Sequence, residues 1–287
     1  MTRPCPGPRP VTSRPNWRPP PGGTDCHCHI FGPYDRYPLS PGRGYTPPEA
    51  SIAQYLELLA TLGLSRTVIV QPSVYGTENA VTLDAVEAIG PERARAVVVV
   101  EEDIDAEALR EMHRRGARGV RVNAVSGNGV PTAQIARLAE RIAPLGWHLQ
   151  LYAHAAELLA LEPLLARLPV PVVIDHMGGV KAAEGGAHSP AFRALLRLLE
   201  GGAWAKLCGY RASSGQPYAD VLPMARAMIA AAPGRCVWGT DWPHPSLRTP
   251  EEVPDDGHLL DLLAQWAPEE AQRRAILVDN PARLYGF

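Results

Sequence analysis

No run of apolar residues in this chain approaches the ~18 to 20 needed to cross a bilayer, and the longest buried-looking segments are strand-sized. A helical membrane protein is excluded, and no membrane partner is expected. A basic block is also missing: 28 Lys and Arg against 30 Asp and Glu leave a formal charge of −2, which argues against nucleic acid as a partner. The five cysteines are an odd number without framework spacing. No disulfide scaffold is expected, and Cys26, Cys28 and Cys208 read as reduced thiols inside strands. Residues 1–21 lack the apolar core of a secretory signal, so residence in the cytoplasm is the expectation. No glycine-rich phosphate turn follows the first apparent strand, because Phe31-Gly32-Pro33-Tyr34 is no such fingerprint. A doubly wound dinucleotide-binding sheet is therefore disfavoured. There is no internal repeat.

What is present is a chain of 287 residues, 46% hydrophobic, enough for one large core and the usual size of an α/β barrel. Residues 1–21 form a proline-rich tail, not expected to hold a packed element although able to wrap the body. From residue 22 to 287, short β-branched or apolar runs alternate with amphipathic segments. Eight strands are expected, at 24–30, 66–72, 95–100, 117–123, 148–154, 171–176, 203–209 and 236–242. Helices are clearest at 48–62, 132–143 and 189–199, each with a Pro or Ser near its start. Eight strands with crossover helices predict a single-domain (β/α)8 TIM barrel.

Within the first strand, Thr24-Asp25-Cys26-His27-Cys28-His29-Ile30, strict alternation would place Asp25, His27 and His29 on one face and Cys26 and Cys28 on the other. One strand cannot aim alternate residues at one ion, so a structural Cys-His zinc site is not expected. The paired imidazoles suit a catalytic metal or a substrate oxygen. In a barrel, chemistry gathers at the C-terminal strand ends. Those ends carry His27 and His29, Ser73, Arg121, Tyr152 with His154 two residues on, His176, Arg211, and Asp241 with His244. Each alone has a bland alternative: Arg121 a surface charge, His176 a hydrogen-bonded core histidine, Asp241 a helix cap. Together they point to a shared active site. Arg121 and Arg211 suggest an anionic substrate, since guanidinium pairs two-pronged with carboxylate.

At these residues the chain resembles the amidohydrolase superfamily, in particular the amidohydrolase-2 branch that contains 2-pyrone-4,6-dicarboxylate lactonases and related lactone hydrolases. The resemblance spans roughly residues 23–287 and rests on Thr24–Gly32, Tyr45-Thr46-Pro47-Pro48, Ile174–Gly179 and Trp238–Pro245. It implies a hydrolase in which His27, His29 and His176 surround the reacting carbonyl or a metal, with Asp241 as the general base. Metal-dependent relatives usually add a strand-five histidine or a strand-four lysine. Here the matching positions look like Tyr152 and Arg121, and Arg121 stays protonated and cannot be a ligand. A two-metal centre is not expected. The resemblance leaves no obligatory cofactor, with one divalent metal, Zn²⁺, held by His27, His29, His176 and Asp241 as the alternative.

Dicarboxylate-binding relatives carry a second arginine after strand four, but residues 124–130 read Ala-Val-Ser-Gly-Asn-Gly-Val. The expected substrate is therefore a small anionic lactone, carboxylated or sulfonated, of the pyrone-dicarboxylate or muconolactone type met in aromatic-compound breakdown. Tyr45, Ser73, Tyr152 and His244 are candidate contacts beside the two arginines. The alternatives are a metal-dependent decarboxylase of the same superfamily and a non-catalytic anion-binding barrel. A homo-oligomer is compatible with the sequence, which carries no signal of its state.

Overall fold

The computed structural model describes residues 2–126 and 128–287. Met1 and Gly127 lie outside the described residues. Eight parallel strands form the sheet: β1 (Thr24–Cys28), β2 (Arg66–Val70), β3 (Ala94–Val98), β4 (Ala117–Asn123), β5 (His148–Tyr152), β6 (Val172–Ile174), β7 (Trp204–Leu207) and β8 (Cys236–Trp238). Each pairs with the next in chain order. The ring closes beyond β8, where Asp241 N donates to His27 O and His29 N to Trp242 O, both at 2.8 Å. The fold is a (β/α)8 barrel, as the alternation of strand and helix predicts.

Several strands stop earlier than expected, and the reason is local. The ladder ends where the chain turns into left-handed backbone at His176, Met177 and Asp241, with φ of 49, 56 and 63°. An extended strand cannot continue through such residues. The helix expected at 48–62 begins only at Ile52, as α1 (Ile52–Leu62), because Ala50 is still bonded to Phe31 through both of its backbone groups. Ser51 and Gln54 then close a capping box. The remaining crossover helices are α2 (Ala80–Ile89), α3 (Ala106–Arg114), α4 (Ile135–Ile142), α5 (Ala155–Leu165), α6 (Pro190–Glu200), α7 (Leu222–Ala231) and α8 (Asp256–Trp266). One apolar layer lies between helices and sheet. A second fills the lower lumen, where Cys26, Val68, Val70, Val97, Val173 and Val237 meet Tyr285 from the C-terminal helix.

That lower layer corrects the expected parity of the first strand. Cys26 lies among residues of five other strands, inside the barrel. Asp25 points away, accepting hydrogen bonds from Tyr55 of α1 (2.9 Å) and from the Thr240 hydroxyl (2.6 Å). The register between β1 and β2 shifts between Asp25 and Cys28. A bulge lets Cys26 and His27 both face inward, which strict alternation forbids. All five cysteines are free and buried; Cys208 falls one residue past β7, while Cys236, not singled out from the sequence, lies in β8.

The proline-rich tail wraps the body, and against expectation it also holds one short element. Arg3–Pro4 pair in parallel with Tyr45–Thr46. Arg9 Nε then donates to Val253 O, the Ser13 hydroxyl to Asp255, and the Trp17 indole to Leu260 O. Proline removes backbone donors, so the tail is held by side chains and by its few remaining N–H groups. No described helix is long and apolar enough to cross a membrane.

Candidate active site

Asp241 stands just past β8 on left-handed backbone, a position costly for any residue but glycine or one held by its surroundings. Its Oδ2 accepts hydrogen bonds from the Tyr210 hydroxyl and from Arg211 Nε, both at 2.6 Å. Its Oδ1 has no hydrogen-bond partner among the described residues, and faces His29 Nε2 at 3.3 Å and His27 Nε2 at 3.6 Å. Burial opposes the charge, but the Arg211 guanidinium outweighs it and holds the carboxyl well below the usual carboxylate range. The His29 Nδ1 is 2.7 Å from Val70 O. A carbonyl can only accept, so Nδ1 carries the proton and Nε2 presents a lone pair beside Asp241.

Below this level lies a second charged group. Asp175 accepts hydrogen bonds from Gln150 at 2.9 Å and Arg121 Nε at 3.2 Å, and lies 3.5 Å from His27 Nδ1 and 3.6 Å from Lys206 Nζ. Lys206 donates to Gln150 at 2.7 Å and reaches His27 Nδ1 at 3.3 Å. All of these side chains are buried. Desolvation works against Asp175, yet Lys206, His27 and Arg121 more than reverse it and keep its carboxyl well below the usual range. Burial pushes Lys206 and His27 the other way, towards their neutral forms. Asp175, Gln150 and Lys206 stand at or near strand ends, and Asp175 adjoins His176, but none was among the expected site residues.

A cavity of about 240 Å³ opens above the two carboxylates. Eight of the ten expected site residues line it: His29, Tyr45, Ser73, Arg121, Tyr152, His176, Arg211 and Asp241. His27 lies beneath its floor, its ring 4.8 Å from that of His176. His244 turns away, with Nε2 3.0 Å from Asp256 and its ring edge-on to Tyr210; it props the tyrosine that bonds Asp241. His154 is exposed and caps α5 without reaching the cavity. Burial drives the His176 imidazole down to about 4, so it is neutral at physiological pH. Four polar lining residues were not among the expected site residues: Arg3, Asn123, Ser126 and Ser246. Arg3 carried no signal at all, since only the folded tail brings it to the barrel mouth.

The donor set fits one zinc ion. His27 Nε2, His29 Nε2 and Asp241 Oδ1 lie within 4.8 Å of one another, and two of these buried atoms have no other partner. The 3.3 and 3.6 Å separations suit neighbouring ligands of a tetrahedral ion at about 2.0–2.1 Å. His27, Asp175 and His176 form a second group, and His176 and Cys208 a third with Asp241, but burial holds the Cys208 thiol well above its ordinary value, against ligation as thiolate.

The family model named Amidohydrolase matches residues 24–287. The chain is 41% identical to a 4-sulfomuconolactone hydrolase of Hydrogenophaga intermedia, over 93% of this chain and 89% of that one. It is 38% identical to a 2-pyrone-4,6-dicarboxylate hydrolase of Comamonas testosteroni, over 95% and 93%. The apo crystal structure of Agrobacterium tumefaciens ATU3138 superposes with a TM-score of 0.87 at 32% identity, covering 96% of this chain and 97% of that one. An amidohydrolase of Burkholderia multivorans solved with bound zinc shares the fold, with a TM-score of 0.70 at 20% identity over 92% and 99%. Fold, strand-end residues and relatives agree, and the chain belongs to the amidohydrolase family.

Proposed function

We propose that this protein hydrolyses a small lactone carrying acid groups, with Asp241 as general base. The observation that carries the proposal is the unpartnered Asp241 Oδ1 beside the lone pair of His29 Nε2, facing a cavity that Arg121 and Arg211 also line. Two acceptors side by side suit one water, which donates a proton to each and turns its own lone pair towards a substrate carbonyl. A purely anion-binding barrel has no use for that pair. Both named substrates of the relatives, 4-sulfomuconolactone and 2-pyrone-4,6-dicarboxylate, are lactones with acid groups.

In the addition step the water oxygen bonds the lactone carbonyl carbon while its proton passes to Asp241 Oδ1. Charge on the carbonyl oxygen is received by the neutral His176 and by Arg121, both at the cavity wall. In the collapse step the ring C–O bond breaks and Asp241 returns its proton to the leaving oxygen, giving a ring-opened acid. Tyr45, Ser73 and Tyr152 orient the ring. Arg211, beside the base, holds an acid group of the substrate, while Arg121 faces the reacting carbonyl.

Zinc held by His27, His29 and Asp241 would polarise the carbonyl or the water. Arg121 and Arg211 already pair with the two carboxylates, and the reading proposed here needs no obligatory metal. The buried, unpaired cysteines support residence in the cytoplasm. The test is direct: purified protein offered 4-sulfomuconolactone and 2-pyrone-4,6-dicarboxylate should open one or both, followed by ring absorbance and proton release. No ring opening of either would defeat the proposal.

A further inference from the structure

Three guanidinium groups line the cavity, and they are not equivalent. Arg121 and Arg211 each donate from Nε to a buried carboxylate. Arg3 faces no carboxylate within 4.0 Å among the described residues; its guanidinium bond there runs from Nη2 to Ser246 O at 2.9 Å. It is the one lining cation whose charge no acid group offsets. Its placement is built: Arg3–Pro4 pair with Tyr45–Thr46, and Tyr45 also lines the cavity. Arg211 reaches the same short segment, donating to Pro245 O at 2.9 Å and lying 3.3 Å from Ser246 Oγ. The two arginines thus grip one turn from two sides. Val125 and Ser126 also line the cavity, and the sequence from 124 to 130 contains no cation.

We infer that Arg3 reads a second acid group of the substrate at the cavity mouth, making the tail part of the specificity apparatus. The inference rests on the proposed anionic-lactone chemistry for its substrate, but concerns binding and can be tested without turnover. An exposed guanidinium gains little from a distant anion, so the contact has value only when the acid group sits against it and displaces water. The carboxylate or sulfonate nearest the base is taken by Arg211. The one farther out falls to Arg3.

Isophthalate and benzoate serve as flat six-membered-ring probes with two acid groups and one, and with no ester to cleave. Dissociation constants are measured for the wild type, Arg3→Gln and Arg3→Lys. The glutamine can still donate to Ser246 O and so keeps a structural role; the lysine keeps the charge. The preference for isophthalate over benzoate should fall about tenfold in Arg3→Gln, the worth of one charge-assisted hydrogen bond, and largely survive in Arg3→Lys. Raising salt should erode the wild-type preference. An unchanged preference in Arg3→Gln, or an equal fall in both variants, would overturn the inference. A wild type that shows the Arg3-dependent preference yet opens no lactone would uphold the inference and defeat the hydrolase reading alone.

Discussion

At the scale of single residues, Asp241 carries the sharpest expectation. Asp241→Asn retains the shape and the bond from Tyr210 but removes the basic oxygen, so kcat should fall by about 10²- to 10⁴-fold with substrate still bound. Near wild-type turnover would refute its role. Beyond its proposed contact with substrate, Arg211 is the principal charge that lowers the Asp241 pKa. In Arg211→Met that pKa rises. A base with a depressed pKa is available at all higher pH, so the acid limb of kcat/KM should move upward in the variant, together with a loss of roughly 2 to 4 kcal/mol in transition-state stabilisation. A pH profile with an unmoved acid limb would show that the ion pair does not tune the base. Residues of this kind were legible in the sequence because each ends a strand and has a side chain suited to the chemistry. Asp175 and Lys206 were not, because their importance lies in whom they face across the lumen, and facing is a property of the closed ring.

The first and eighth strands decide whether the base and the imidazoles meet. Asp25 ties them together: its Oδ1 accepts from the backbone of His27 and Thr240, at 3.1 and 3.0 Å. Gly239 completes the approach, since a Cβ there would stand 2.7 Å from the His27 Cβ and 2.8 Å from its nitrogen. Gly239→Ala should therefore push the strands apart, costing about 1–3 kcal/mol of stability and proportionately more activity. Equal denaturation midpoints and full activity in the variant would contradict this. The order, number and direction of the strands followed from the alternation of apolar runs with amphipathic segments. The bulge in β1 did not, because alternation along a strand contains no mark of an inserted residue until its partner's register is known. Pro47 and Pro48 misdirected the start of α1 for a similar reason: proline marks a helix start well, but the Phe31–Ala50 bridge keeps the chain extended past it.

For the whole molecule, pH and metal are the informative variables. Burial lowers the pKa of His27, His29, His148 and His176 below that of the unfolded chain. The unfolded state then binds more protons as pH falls below about 6.5, and stability is lost. Asp25, raised to about 6 by burial, opposes this, but it is one group against four. Denaturant midpoints should decline from pH 7.5 to pH 5; a rise would show that the histidines are charged in the folded state. After exhaustive chelation the protein should keep most of its lactone-opening activity. Activity lost on chelation and restored by stoichiometric Zn²⁺ would instead make His27, His29 and Asp241 ligands. The packed tail has a consequence for how such a molecule diversifies. The charged group around Lys206 is part of the barrel's own interior, so changing it disturbs folding and chemistry at once. Arg3 belongs to a surface strap outside that interior. If Arg3 reads the outer acid group as proposed, substrate choice can be edited in that strap while the reaction centre stays under constraint, and a library confined to residues 2–5 is the way to exploit it.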